Sequence, residues 1–171
     1  MSDTLRLFFA LPVPAALASQ IADWRQGLQS GGTPVHERDL HVTLAFLGSQ
    51  PAARLPLLRE AARQVQGIAP FQLRLDQLGI WSQGLLHLAP QEPPPALLRL
   101  QQSLGASLHR HGFVLEPRPY RPHLSLARHA QLRPDTSPVD FAWTVKRFAL
   151  FSSTSVTIGP RYQQIDTWDL G

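Results

Sequence analysis

The chain has 171 residues, 43% of them apolar and only 16% charged, a composition that fits one domain with a buried core and excludes a disordered chain. Cysteine is absent, which excludes a disulfide framework, a thiolate nucleophile and every cysteine-ligated metal centre. The formal charge is +4, and all the basic residues but Lys146 are arginines, whose planar fork of donors suits phosphate.

The best apolar run, Leu7 to Ala18, is broken by Pro12 and Pro14 and falls well short of the roughly 20 residues of a membrane-spanning helix. The N-terminus has no basic stretch followed by a clean apolar one and a cleavage site. The expectation is a cytoplasmic monomer with no membrane or obligate protein partner.

In chain order, Leu5–Leu11 is short, apolar and aromatic, the pattern of a buried strand. From Ala15 to about Leu28, the residues Leu17, Ile21, Trp24 and Leu28 form the stripe of an amphipathic helix, with Trp24 on its core side. His41–Leu47 is a second strand ended by Gly48. Arg54–Gln66 predicts a helix with Pro56 in its first turn. Phe71, Leu73 and Leu75 alternate as a half-buried strand, and Leu85–Ala89 follows after a turn at Trp81–Gly84. Leu97, Leu100, Leu104 and Leu108 predict a helix from Ala96 to His111, stopped at Gly112. Phe113–Leu115 reads as a short strand, Glu116–Pro122 as irregular, and His123–Arg128 as the next strand. A proline-containing loop runs to Pro138, and Phe141–Phe151 and Tyr162–Leu170 read as two further strands. This irregular mixture favours α+β over a doubly wound parallel sheet.

One small pattern occurs twice. His41-Val42-Thr43-Leu44 and His123-Leu124-Ser125-Leu126 both read histidine, apolar, hydroxyl, leucine, 82 residues apart. In a strand, residues i and i+2 share a face. His41 and Thr43 therefore point one way while Val42 and Leu44 point into a core, and the second copy repeats the arrangement. Two such strands near half-length spacing suggest a duplicated, two-lobed, pseudo-symmetric single domain over 1–171, its mainly antiparallel sheets around a central cleft and its helices outside. Side by side, they would line the cleft with two imidazoles and two hydroxyls. That set fits phosphodiester hydrolysis, because histidine titrates near neutrality and can supply one proton acceptor and one donor. The hydroxyls can hold the non-bridging oxygens, and the chemistry requires no metal.

These residues, with RLFFAL at Arg6–Leu11, HVTLAFLG at His41–Gly48 and PHLSLAR at Pro122–Arg128, resemble the two-histidine phosphoesterases. The match is to the bacterial RNA 2',3'-cyclic phosphodiesterase branch, also called 2'-5' RNA ligases. It extends over nearly the whole chain, including Trp81 and the late Arg161-Tyr162. The resemblance implies a metal-free and cofactor-free opening of a 2',3'-cyclic phosphate at an RNA end, leaving a 2'-phosphomonoester, with ligation as the reverse reaction. It also implies that His41 is the proton donor to the departing 3' oxygen and His123 the base that activates water. Thr43 and Ser125 would hold the phosphate. Ser125 stands where the family commonly has threonine and lacks the methyl that fixes the rotamer, so a modest change in positioning is expected.

The family also places an arginine at Arg128 near the phosphate, yet its odd offset from His123 turns it away from that face unless the strand ends or bulges first. Phe9, Phe46 and Tyr120 could stack on a base. For Phe9 and Phe46, in apolar strands, core packing is the stronger expectation; Tyr120 is a loop aromatic. His36, Glu37 and Asp39 superficially resemble a metal cluster but lack helical metal-site spacing. Asp39 reads as a turn residue, and His109 and His111 as cations favourable at a helix end. Competing readings are a non-catalytic RNA- or nucleotide-binding module, and a phosphodiesterase on small cyclic nucleotides or 2'-5' oligonucleotides. From Arg99 to Arg133 there are six arginines against one acid, Glu116. The positive excess is therefore expected around the second motif.

Overall fold

The computed structural model describes residues 3–171 except positions 132, 136, 137 and 157; three of these lie in the predicted proline-containing loop. The chain builds an eight-stranded sheet and a separate two-stranded one, every strand pair antiparallel. The strands are β1 (Thr4–Pro12), β2 (Thr33–Pro34), β3 (His41–Pro51), β4 (Phe71–Leu75), β5 (Gln77–Trp81), β6 (Leu85–Ala89), β7 (Leu124–Arg128), β8 (Phe141–Val145), β9 (Arg147–Ser153) and β10 (Tyr162–Asp169). The helices are α1 (Ala15–Gln26), α2 (Leu55–Arg63) and α3 (Pro95–Arg110). The large sheet runs β10-β9-β1-β3-β7-β6-β5 with β2 beside β7, and β4 pairs with β8 alone. Mixed helices and antiparallel strands make this an α+β fold.

Three expectations need correction. Phe113–Leu115 is not a strand; Phe113 is buried in the core while Val114 is exposed. Trp81, expected in a turn, instead ends the strand β5, which starts at Gln77 and pairs with β6. Phe141–Phe151 is two strands in different sheets, because the chain leaves β4's partner strand at Lys146 and enters the large sheet between β1 and β10. Apolar residues alternate at Phe141, Trp143 and Val145 and then run unbroken from Phe148 to Phe151, so only the pair Lys146-Arg147 marks the change.

β3 and β7 meet at the centre through one pair, Val42 opposite Leu124. The consequence follows from antiparallel geometry: about that pair, His41 lies beside Ser125 and Thr43 beside His123. A local twofold thus exchanges the motifs, with all four side chains on one face. On the other face Val42, Leu44, Leu124 and Leu126 are 0–2% exposed. They join the leucines of α3 (Leu97, Leu100, Leu104 and Leu108) in one core.

Both strands then bulge at the same place. Against β1, the register skips Leu44, and against β6 it skips Leu126. A bulge inserts one residue and reverses the alternation beyond it. Leu44-Ala45 and Leu126-Ala127 are accordingly buried in succession, and the next residues, Phe46 and Arg128, turn outward.

The bulge in β7 is secured from α1. The Leu126 carbonyl accepts from the Val35 N–H at 2.9 Å and from the Arg25 guanidinium at 3.0 Å, and the same guanidinium donates to the Val35 carbonyl at 2.6 Å. Arg25→Met keeps the aliphatic stem and removes the donors. It is expected to lower unfolding free energy by about 1–3 kcal/mol in urea titration; an unchanged midpoint would show that the clamp contributes nothing.

Candidate active site

The cleft face carries two adjoining cavities that share Thr43 and Phe46. The first, about 750 Å³, is lined by His41, Thr43, Ser125, Arg128, Arg6 and Arg161 among others. The second, about 700 Å³, is lined by His123, Phe46, Trp81, Leu115, Tyr120 and Arg121 among others.

Both motif histidines are oriented in the same way. His41 Nδ1 lies 2.6 Å from the Asp39 carbonyl, and His123 Nδ1 lies 2.8 Å from the Arg121 carbonyl. A carbonyl accepts only, so each Nδ1 carries the proton and each Nε2 is the unprotonated nitrogen of the neutral ring. The acceptor is two residues upstream in both cases, which extends the local twofold to the tautomers. His41 Nε2 lies 2.9 Å from Thr43 Oγ1, and Phe8 and Tyr162 enclose its ring, with centroids at 4.9 and 5.2 Å. His123 meets the edge of Trp81 at 4.6 Å.

The charges around the two imidazoles differ. Burial holds each below the ordinary histidine range. For His41, the hydrogen bond to the Asp39 backbone and the Asp39 carboxylate oppose burial, while His123 and Arg128 add to it. For His123, the hydrogen bond to the Arg121 carbonyl opposes burial and the Arg121 charge reinforces it. The nearest carboxylate thus favours a cation at His41, and the nearest guanidinium favours a neutral ring at His123.

Arg128 lines the first cavity and donates to the Tyr162 hydroxyl at 3.3 Å; the bulge at Leu126 supplies the reversal that simple alternation lacks. Phe46 is 47% exposed, not core, for the same reason at Leu44. Phe9 is 0% exposed and packs on Phe148 and Trp168 away from the cleft, so it offers no face to a base. Its neighbour Phe8 is the ring beneath His41. Tyr120 lines the second cavity but is also a tie: its hydroxyl donates to the Thr43 carbonyl at 2.7 Å, and burial pushes its ionisation up.

Asp39 is buried, and its carboxylate accepts from the backbone N–H groups of Arg161 at 2.8 Å and Tyr162 at 3.2 Å. It is therefore an anchor between the first motif and the start of β10, not simply a turn residue. His36 caps a single helical turn by accepting from the Arg38 N–H at 3.1 Å. Among the described residues no three His, Asp or Glu side chains gather as a metal site. His111 caps α3 through the Ser107 carbonyl at 2.7 Å.

One residue escaped the sequence reading. His87, opposite Ser125 in β6, is a third imidazole on the cleft face, buried, 3.9 Å from the Trp81 ring and 5.9 Å from that of His123. The residue across from it in β5 is Gly79, where a Cβ would stand 2.9 Å from His87 Nε2. Burial lowers its pKa first, with the His123 and Arg121 charges adding to the effect. No motif marks His87, and only strand register reveals it.

Three histidines with lowered pKa values couple folding to pH. As pH falls through about 6.5, the unfolded chain takes up protons that the folded one refuses, so stability is full above that value and lost below it. The melting temperature is expected to be level above about pH 7 and to fall toward pH 5; a Tm that rises over that interval would contradict it.

Two antiparallel strands related by a local twofold, each presenting a His-x-Thr/Ser motif to a shared cleft, define a two-histidine phosphoesterase. The model of the 2'-5' RNA ligase superfamily matches residues 13–157, and the chain belongs to that family. Among its relatives, the RNA 2',3'-cyclic phosphodiesterase of Escherichia coli is 34% identical over 99% of both chains. The protein of that name from Thermus thermophilus is 30% identical over 97% of this chain and 90% of its own. The crystal structure of E. coli LigT complexed with 3'-AMP superposes with a TM-score of 0.89 at 32% identity, covering 98% of this chain and 99% of that one.

Proposed function

We propose that the protein hydrolyses 2',3'-cyclic phosphate ends of RNA to 2'-phosphomonoesters, with His41 as general acid and His123 as general base. The observation that carries this reading is the twofold placement of two imidazoles and two hydroxyls on one face, each imidazole with its Nδ1 proton committed to a backbone carbonyl. The names of the full-length relatives support the substrate class.

His123 Nε2 takes a proton from water as the oxygen attacks phosphorus. The P–O3' bond breaks, and His41 Nε2–H gives its proton to the departing 3' oxygen. The product keeps the phosphate on the 2' oxygen, and solvent returns the histidines to their starting states. The Asp39 carboxylate near His41 and the Arg121 guanidinium near His123 support this assignment over its reverse. Thr43, Ser125 and Arg128 hold the non-bridging oxygens, and the base lies in the second cavity against Phe46 and Tyr120. With a 5'-hydroxyl in place of water as the nucleophile, His123 Nε2 takes the 5'-hydroxyl proton, the P–O3' bond breaks, His41 Nε2–H gives its proton to the 3' oxygen, and a 2'-5' linkage forms.

The test is incubation with an RNA ending in a 2',3'-cyclic phosphate, in excess chelator, followed by identification of the terminus. A 2'-phosphate is expected. No turnover would sink the reading, and a requirement for added divalent cation would overturn its metal-free mechanism.

A further inference from the structure

The two cavities differ in chemistry as well as position. The second is walled by Phe46, Trp81, Leu115 and Tyr120. Around the first stand three arginines, Arg6, Arg128 and Arg161, with hydroxyls from Ser49, Ser153 and Thr154. Among the described residues Asp39 is the only acid on that wall, and both of its oxygens are engaged by backbone N–H groups. The ion pairs among the described residues use Arg59, Arg63, Arg74, Arg118 and Arg147; none uses an arginine of this cavity. The Arg6 guanidinium rests over the Phe46 ring, 5.1 Å from its centroid, which fixes its charge at the junction of the two cavities.

We propose that this first cavity is a subsite for the backbone phosphate that joins the terminal nucleotide to the one before it, with Arg6 and Arg161 as its phosphate-binding residues. The inference rests on the function proposed above. The reacting phosphate is held by Thr43, which both cavities share, and by Ser125 of the first. From the same ribose, an RNA end sends its base in one direction and its sugar–phosphate chain in another. An aromatic compartment receives the base, and a compartment with unpaired guanidinium groups and hydroxyls receives the anionic chain. The protein is therefore selective for oligonucleotide ends over cyclic mononucleotides.

The experiment compares adenosine 2',3'-cyclic phosphate with the dinucleotide ApA carrying the same end, for the wild type, Arg6→Gln, Arg161→Gln and the double variant. The wild type is expected to prefer the dinucleotide by about tenfold or more in kcat/KM, mostly through KM. Each single variant should reduce that ratio, and the double variant should bring it close to unity, with a shallower salt dependence. Equal kcat/KM for the two substrates in the wild type, or an equal loss on both in the variants, would overturn the subsite.

Calorimetric binding of ApA 2'-phosphate and adenosine 2'-phosphate reads the same comparison without turnover. If neither cyclic substrate reacts but ApA 2'-phosphate binds more tightly in an Arg6- and Arg161-dependent way, the catalytic reading fails and the subsite stands. Inorganic phosphate bound by the wild type with no preference for the dinucleotide would instead mark a free-anion site and overturn the proposal.

Discussion

Alanine at His41 or at His123 is expected to lower kcat on an RNA 2',3'-cyclic phosphate end by about 10²- to 10⁴-fold, the usual worth of a positioned general acid or base. Because both groups act in one transition state, the double variant should fall little below the weaker single. The pH profile separates the roles. In the wild type it is a bell, since His123 must be neutral and His41 protonated. Burial lowers both pKa values, which puts the optimum of kcat/KM on the acid side of neutrality. The reacting phosphate is negative and favours the protonated imidazole, so the limbs of kcat should lie at higher pH than those of kcat/KM. His123→Ala should abolish the acid limb and His41→Ala the basic one. A flat wild-type profile between about pH 5 and 8, or the opposite assignment of limbs, would overturn the scheme.

Asp39→Ala should produce the next largest effect, on two observables at once. It leaves the backbone N–H groups of Arg161 and Tyr162 without their acceptor, at a cost of about 2–4 kcal/mol in urea unfolding. It also removes the carboxylate that favours a charged His41, so the basic limb of kcat/KM should move to lower pH. Asp39→Asn keeps the volume and one acceptor while losing the charge. It should show the limb shift with a smaller stability loss. If Asp39→Asn behaves as the wild type in both measurements, the residue neither anchors the 161–162 backbone nor biases His41.

The distribution of charge shows where local sequence stopped being informative. Of the arginines between Arg99 and Arg133, only Arg118, Arg121 and Arg128 reach the two cavities, and Arg118 is paired with Glu116. The first cavity draws its other arginines from opposite ends of the chain, Arg6 on β1 and Arg161 just before β10. Sheet order, with β1 beside β3 and β10 beyond β9, two strands out from β1, brings them to the motif face. Charge counted along the chain could not anticipate that.

Arg128 and Phe46 make the same point at shorter range. Two-residue alternation assigns each of them to the wrong face, yet HVTLAF and HLSLAR are the same six-residue pattern with Phe46 and Arg128 in equivalent last places. The equivalence was present in the sequence. Its meaning was not, because a bulge is defined by what the partner strand skips, and β1 and β6 are distant in the chain. His87 and Asp39 were hidden for a related reason: one acts through cross-strand register and the other through backbone groups more than a hundred residues away.

By itself, then, the sequence determined the α+β class, most of the elements and the shared strand face of each histidine and its hydroxyl. Each of these follows from local periodicity or from a short pattern repeated in one chain. Only the tertiary structure decided that Phe46 and Arg128 enter the cleft, that Phe9 does not, and that Arg6 and Arg161 share a cavity with His41. Those facts depend on non-local strand pairing, which sets the face of every residue after a bulge and joins chain ends that local patterns treat as unrelated.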